Sequence, residues 1–187
     1  MRDIKITNTE KSKEYSESTY LTDVKAHLRI DSGDTQYDDY ITECIIDAFD
    51  DAENYCECDI VQTTGITTIK NYTGYNIIIK ESPLISITSV SYVDGNGDTI
   101  TLTENTDFQV EKRNSLFIIY LENLLDTDQI VITYLTGFSS IPKSIIRAMK
   151  VIVADYFDEE RNNYGLTNLR DLKAVQRLLN PHKRIYY

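Results

Sequence analysis

The sequence predicts an α+β protein: a helical bundle of about four helices, with an antiparallel β domain inserted between the second and third. Three observations carry that reading. Apolar residues recur at spacings of three and four before residue 60 and after residue 140, which is the helical period. Between them, residues 60–136 are dominated by β-branched residues and poor in helix formers, as half-buried strands require. Within that block the run Asp94-Gly-Asn-Gly-Asp98 separates two strand-like segments, and Asn and Gly tolerate the positive φ of a tight hairpin turn.

Taken in order, residues 1–20 are polar and without period, and are expected to form an arm that is disordered alone or ordered by a partner. Residues 21–59 should hold the first two helices. Thr22 can N-cap a short one, with Lys25 in its first turn and Val24, His27 and Leu28 facing inward. After a loop at Asp31–Thr35, Asp34 or Thr35 should cap a long helix reaching about Glu57. Its inner stripe is Ile41, Ile45, Ala48, Ala52 and Tyr55, and Asp39, Glu43, Asp47, Asp50 and Glu57 lie opposite. Such like charges at i and i+4 are locally unfavourable by a few tenths of a kcal/mol per pair, roughly, unless cations from elsewhere offset them.

Residues 60–137 form the predicted β domain, with strands at Ile66–Asn71, Tyr75–Lys80, Ser86–Asp94, Thr99–Leu102, Phe108–Lys112, Leu116–Leu121 and Gln129–Leu135. The Asp94–Asp98 run also imitates the start of a calcium loop. Thr99 stands where that loop needs its glycine and Asn105 where it needs a bidentate Glu, so a turn is the better reading. Residues 138–180 should return to helix. Pro142 suits a first turn; Ile145, Met149, Ile152, Val153 and Tyr156 form an apolar stripe, and Lys143, Arg147 and Lys150 a basic one. This helix is expected to pack on the acidic one. A last short helix presents Leu169, Leu172, Val175 and Leu179 on one side and Arg170, Lys173 and Arg177 off it; Pro181 ends it, and residues 181–187 are left as a basic, aromatic tail.

Several function classes are disfavoured. The net charge is −11 and the isoelectric point near 4.6, a poor endowment for gripping nucleic acid phosphates. The opening residues have no apolar core to act as a signal peptide, and no run approaches the roughly 20 apolar residues of a bilayer span, so no membrane is expected and the site of assembly is the cytosol. Cys44, Cys56 and Cys58 make an odd count, so the expectation is buried or half-buried thiols rather than disulfides or metal ligands. No cofactor is indicated. The only histidines are His27 and His182, and there is no G-x-S-x-G, Walker or H-E-x-x-H motif, so no catalytic residue is assigned. The alternative to an assembly role is a monomeric β-rich domain that recognises a peptide or glycan through its loops.

Charge is segregated along the chain. From Asp31 to Ile69 there are eleven acidic residues and no Lys or Arg, whereas after Glu160 there are six basic residues and one acid, Asp171. Opposite charges on different helical faces allow head-to-tail binding of copies, the geometry that closes rings. The candidate subunit interface therefore sets Asp39, Glu43, Asp47 and Asp50 against Lys143, Arg147, Arg170, Lys173 and Arg177 of a neighbour.

Three segments together resemble the head–tail connector (adaptor, or head-completion) proteins of tailed bacteriophages. They are Leu21–Ile30 (LTDVKAHLRI) with the acidic loop and long helix after it, Ser82–Gly95 (SPLISITSVSYVDG), and Ile141-Pro142 with its helix and the closing Leu178-Leu179-Asn180-Pro181-His182-Lys183-Arg184. The resemblance implies a non-enzymatic virion protein in the neck. It would form a ring, typically dodecameric, docked on the portal protein and facing a downstream connector, stopper or tail protein, with genomic DNA passing through the channel without sequence-specific binding. On that reading the tail residues Lys183, Arg184, Ile185, Tyr186 and Tyr187 are the candidate portal anchor, and the hairpin Asp94, Gly95, Asn96, Gly97 and Asp98 the candidate downstream contact. The acidic helix face has a competing use as channel lining, where it would repel phosphates.

Overall fold

The computed structural model describes residues 5–15, 17–113, 115–162 and 173–184. The chain divides into two compact units, one built from the chain up to Glu14 and from Val61–Ser139, the other from Tyr15–Ile60 and Ser140–Arg184.

The first unit is a six-stranded antiparallel sheet of β1 (Lys5–Glu14), β2 (Gln62–Ile79), β3 (Leu84–Val93), β4 (Thr99–Leu102), β5 (Phe108–Lys112) and β6 (Phe117–Thr136). The order is β1-β2-β6-β3-β4, and β5 pairs with the first part of β6. β6 would span about 65 Å if its 20 residues ran straight. Instead the β2–β6 register slips between Gly74, opposite Leu125, and Asn76, opposite Tyr120, and extra residues on one strand bend a pair. The bend brings the two ends of β6 together: the Phe117 and Tyr134 rings meet edge to face at 5.2 Å. Ile69, Tyr72, Val90, Ile130, Ile132 and Tyr134 thus share one buried core with Ile77, Ile79, Phe108, Phe117, Ile119 and Leu121, each apolar side chain contributing about 1.5–3 kcal/mol. Gly65 lies opposite Tyr134, whose ring covers it so closely that a Cβ would stand 2.4 Å from Cε2. At the exit of β6, Gly137 takes φ +99°, and a Cβ there would stand 2.3 Å from the Val61 carbonyl oxygen; glycine alone fits.

The second unit holds α1 (Glu17–Leu28), α2 (Asp38–Cys56), α3 (Lys143–Asn162), α4 (Lys173–Leu179) and a closing 3₁₀ turn at Asn180–His182. α2 packs on α3, as expected; α1 contacts both, and α4 contacts α2 and α3. Ile41, Cys44, Ile45, Ala48, Phe49, Ala52 and Cys56 of α2 are buried, as are Ile145, Ala148, Met149, Ile152, Val153 and Phe157 of α3. Among the described residues no helix is long and apolar enough to cross a membrane.

A helical bundle carrying an inserted β domain is therefore the wrong description. Among the described residues, strand outnumbers helix, 41% to 35%, and they begin with a strand. Four α-helices are present among them, as expected. The segment read as an arm is polar because β1 lies at the sheet edge, with Glu10, Lys11, Ser12 and Glu14 exposed, so its pairing with β2 leaves no apolar signature. Four predicted strands are two long ones, since β2 runs through Asn71–Gly74 and β6 through Asn123–Asp128; turn residues there mark the bend rather than an end. α1 starts before Thr22. α2 starts after Thr35, because the Asp34 carboxylate accepts from the Gln36 N–H (3.1 Å) in a local turn. Lys25, only 3% exposed, fixes that loop by donating to Ser32 O (3.2 Å), Asp34 O (2.6 Å) and Asp38 Oδ1 (2.7 Å).

Candidate functional site

The charged faces of the helical unit follow from helical period. On α2, Asp39, Glu43 and Asp47 are exposed on the side opposite the buried stripe, and none forms an ion pair with another described residue. Asp50 is half-buried and accepts from the Tyr15 hydroxyl at 2.7 Å. The neighbouring Asp51 accepts from the Tyr156 hydroxyl. Burial, then that bond to Asp51, then the charges of Asp51, Asp47 and Asp155 push the Tyr156 pKa up, so Tyr156 stays a neutral donor. Tyr55, placed on the inner stripe by spacing, is only half-buried.

Lys143 and Arg147 of α3 and Lys173 and Arg177 of α4 are exposed and likewise make no ion pair with another described residue. Lys150 of the predicted basic stripe is committed within the subunit, to Asp23 at 2.8 Å. Arg170, Leu169 and Leu172 lie outside the described residues. The helical unit thus exposes acidic side chains on α2 and basic ones on α3 and α4 that make no ion pair among the described residues.

The tail splits in two. Ile185, Tyr186 and Tyr187 lie outside the described residues, whereas His182, Lys183 and Arg184 are docked on the end of α2 and the start of α3. His182 Nε2 meets Ser144 Oγ at 2.7 Å, the Lys183 ammonium lies 5.0 Å from the Tyr55 ring centre, and the Arg184 N–H donates to Cys56 O at 2.8 Å. The segment read as a free tail from Pro181 is thus held by contacts as far as Arg184.

In the sheet unit Asp94–Asp98 forms the expected turn between β3 and β4. Asp94 Oδ1 accepts from the N–H groups of Asp98 (2.8 Å) and Asn96 (2.9 Å), and Gly97 takes φ +91°. Those bonds, Asp98's foremost, hold the Asp94 carboxyl below its ordinary range. Sequence reasoning missed a second surface at the bend: Tyr75 (53% exposed), Ile78 (50%), Tyr120 (36%) and Leu124 (55%). Three consecutive isoleucines at 77–79 in a strand must put two on one face and one on the other. The clue was in the sequence, and Ile78 is the one turned out.

Residues 18–92, which hold most of α1, all of α2 and β2 and nearly all of β3, match the family described as "Phage gp6-like head-tail connector protein". Over those residues, less than half of the chain, the sequence is similar to this connector family. No curated protein sequence matches the chain. Its fold is similar over 97% of both chains to one solved in the "Neck of empty GTA particle computed with C6 symmetry", with a TM-score of 0.76 and 13% identity. Over the same 97% of both chains it is similar to one in the "Virion of native gene transfer agent (GTA) particle", with a TM-score of 0.73 and 13% identity. A third, from the "Neck of native GTA particle computed with C12 symmetry", gives 0.67 at 13% identity, over 95% of this chain and 97% of the other. At that identity the likeness is one of fold.

Proposed function

We propose that this chain is a structural head–tail connector: a subunit of a ring in the neck of a tailed particle, docked on the portal and offering the next component its attachment surface. The observation that carries the reading is the end-to-end fold match to subunits of gene transfer agent necks, joined to the connector-family match over residues 18–92. The C12 symmetry of one such neck supports a dodecamer, assembled in the host cytoplasm and retained in the virion. Within the ring the acidic face of Asp39, Glu43, Asp47 and Asp50 meets Lys143, Arg147, Arg170, Lys173 or Arg177 of the next subunit. Heterologous contacts need two different complementary surfaces on each copy, and the exposed Asp39, Glu43 and Asp47 of α2 and Lys143, Arg147, Lys173 and Arg177 of α3 and α4 supply them. Residues 185–187 reach the portal, and the Asp94–Asp98 turn, with the apolar side chains at the β2–β6 bend, faces downstream.

The test is assembly on purified portal, imaged by negative stain and weighed by native mass spectrometry. Wild type should add as a ring, Glu43→Lys with Asp47→Lys should not, and adding Lys143→Glu with Arg147→Glu should partly restore it. Rings formed equally well by the acid-reversed protein would overturn the charge contact; no binding of wild type to any portal ring would overturn the connector role.

A further inference from the structure

Four consecutive residues at the end of α2 cradle the C-terminal segment. The Tyr55 hydroxyl donates to Asn180 Oδ1 at 2.7 Å, the Cys56 thiol points to Leu179 O at 3.7 Å, the Glu57 carbonyl accepts from Arg184 Nη1 at 3.5 Å, and the Cys58 thiol points to His182 O at 3.7 Å. The single proton of the Cys58 thiol is shared between His182 O and the Cys56 sulfur, which accepts from it. The chain turns between them at Glu57, φ 56°, which keeps their Cα atoms within the span a disulfide needs, roughly 4.4–6.8 Å. Cys56 is buried and Cys58 half-exposed, while Cys44 is buried on α2.

We propose that Cys56 and Cys58 are a modification site, closing to a reversible intrachain disulfide that loosens the C-terminal segment. The oxidant is a small-molecule disulfide such as oxidised glutathione. The Cys58 thiolate, the reachable one, attacks a glutathione sulfur; that S–S bond breaks, and one glutathione thiolate leaves. The Cys56 thiolate then attacks Cys58 Sγ in the mixed disulfide and expels the second glutathione. One S–S bond is broken and one remains on the protein, two thiol protons pass to the glutathione thiolates, and two electrons reduce the oxidant. The bond between the thiols, foremost, holds the Cys56 pKa down and, with burial, pushes that of Cys58 up. Cys58 therefore passes its proton to the Cys56 sulfur as it attacks, and Cys56 loses that proton before it resolves the mixed disulfide. Closure removes both S–H donors from Leu179 O and His182 O, while Tyr55–Asn180 and Arg184–Cys56 remain. The segment is loosened rather than released. The proposal depends on contacts within one chain and stands apart from the ring reading.

The full-length protein is incubated with oxidised glutathione, denatured, and assayed for free thiols, mass and linked peptides. One thiol of the three should remain, with the mass lower by two hydrogens and a 56–58 link. Limited trypsin cleavage after Lys183 and Arg184 should run about fivefold faster in the oxidised protein, the effect of losing two weak S–H bonds. The Cys56→Ser, Cys58→Ser double variant should cleave at one rate with or without oxidant, and Cys56→Ser alone should hold one glutathione on Cys58. Three free thiols, a stable glutathione adduct on the wild type, or a bridge to Cys44 or to another chain would overturn the site. A 56–58 bridge with unchanged cleavage would overturn its effect on the segment.

Discussion

Gly65→Ala is the sharpest test of how the sheet folds over itself. The added methyl would stand 2.4, 2.5 and 2.8 Å from Cε2, Cζ and the hydroxyl oxygen of Tyr134. Tyr134 has no free direction to move: it is fully buried, its ring meets Phe117 at 5.2 Å, and its hydroxyl bonds Thr67 Oγ1 at 3.1 Å. Overpacking by one methyl costs about 1–3 kcal/mol, and disturbing the Thr67 bond adds about 1 kcal/mol. The better strand conformation of Ala returns about 0.5–1 kcal/mol, so the net loss should be near 2 kcal/mol. Urea unfolding followed by tyrosine fluorescence, in a chain without Trp, and amide exchange along β6 would measure it. In a Tyr134→Leu background the same substitution should cost almost nothing, giving a coupling of about 1.5–2 kcal/mol. In Tyr134→Phe, which keeps the ring, most of the cost should persist. Equal cost of Gly65→Ala in the Tyr134→Leu and wild-type backgrounds would refute the claim that this ring sits on this glycine.

Replacing Lys25 by Met should destabilise the helical unit by about 3 kcal/mol, since it leaves the Asp38 carboxylate and the Ser32 and Asp34 carbonyls without their shared donor; helix amide exchange would report it, and a loss below about 0.5 kcal/mol would count against the latch. The Asp94 carboxyl lies below its unfolded value, so the turn's protection should be complete above about pH 4 and lost as pH falls through the depressed value. Exchange of the Asn96 and Asp98 amides from pH 5 downward should show that loss, and Asp94→Ala should abolish its pH dependence. A chain ending at Arg184 should unfold within about 0.5 kcal/mol of wild type, whereas one ending at Pro181, lacking the His182–Ser144, Lys183–Tyr55 and Arg184–Cys56 contacts, should lose about 2–3 kcal/mol in urea unfolding.

Elements with their own period were legible. β4 and β5 fall on the residues alternation assigned, and Ile41, Ile45, Ala48 and Ala52 line the buried side of α2 as their spacing required. What local pattern could not supply was pairing. β1 is held by its neighbour rather than by apolar side chains, and the bend at Gly74 looked like the end of one strand and the start of another. The outward position of Asp39, Glu43 and Asp47 was legible for the same reason as the core. The C-terminal cradle was not, because Cys58 and His182 come together only through the packing of α4 beside α2. Lys25 was legible only as part of a helix, since nothing in a sequence marks which lysine will find three acceptors.

The two units interrupt each other along the chain: β1 precedes α1 and α2, the rest of the sheet follows, and α3 and α4 come last. During synthesis from the N-terminus, β1 leaves the ribosome well before β2, the strand that pairs with it. α1 and α2 likewise wait for α3 until the whole sheet has been made. β6, which joins β2, β3 and β5, is the last of these six strands to be translated, so neither unit can finish until the chain has passed residue 140. Such distant pairings are slow to form and leave apolar surface open meanwhile. A nascent chain with so late a closure is a natural client for chaperones, and a premature stop anywhere before α3 spoils the helical half together with whatever of the sheet is missing.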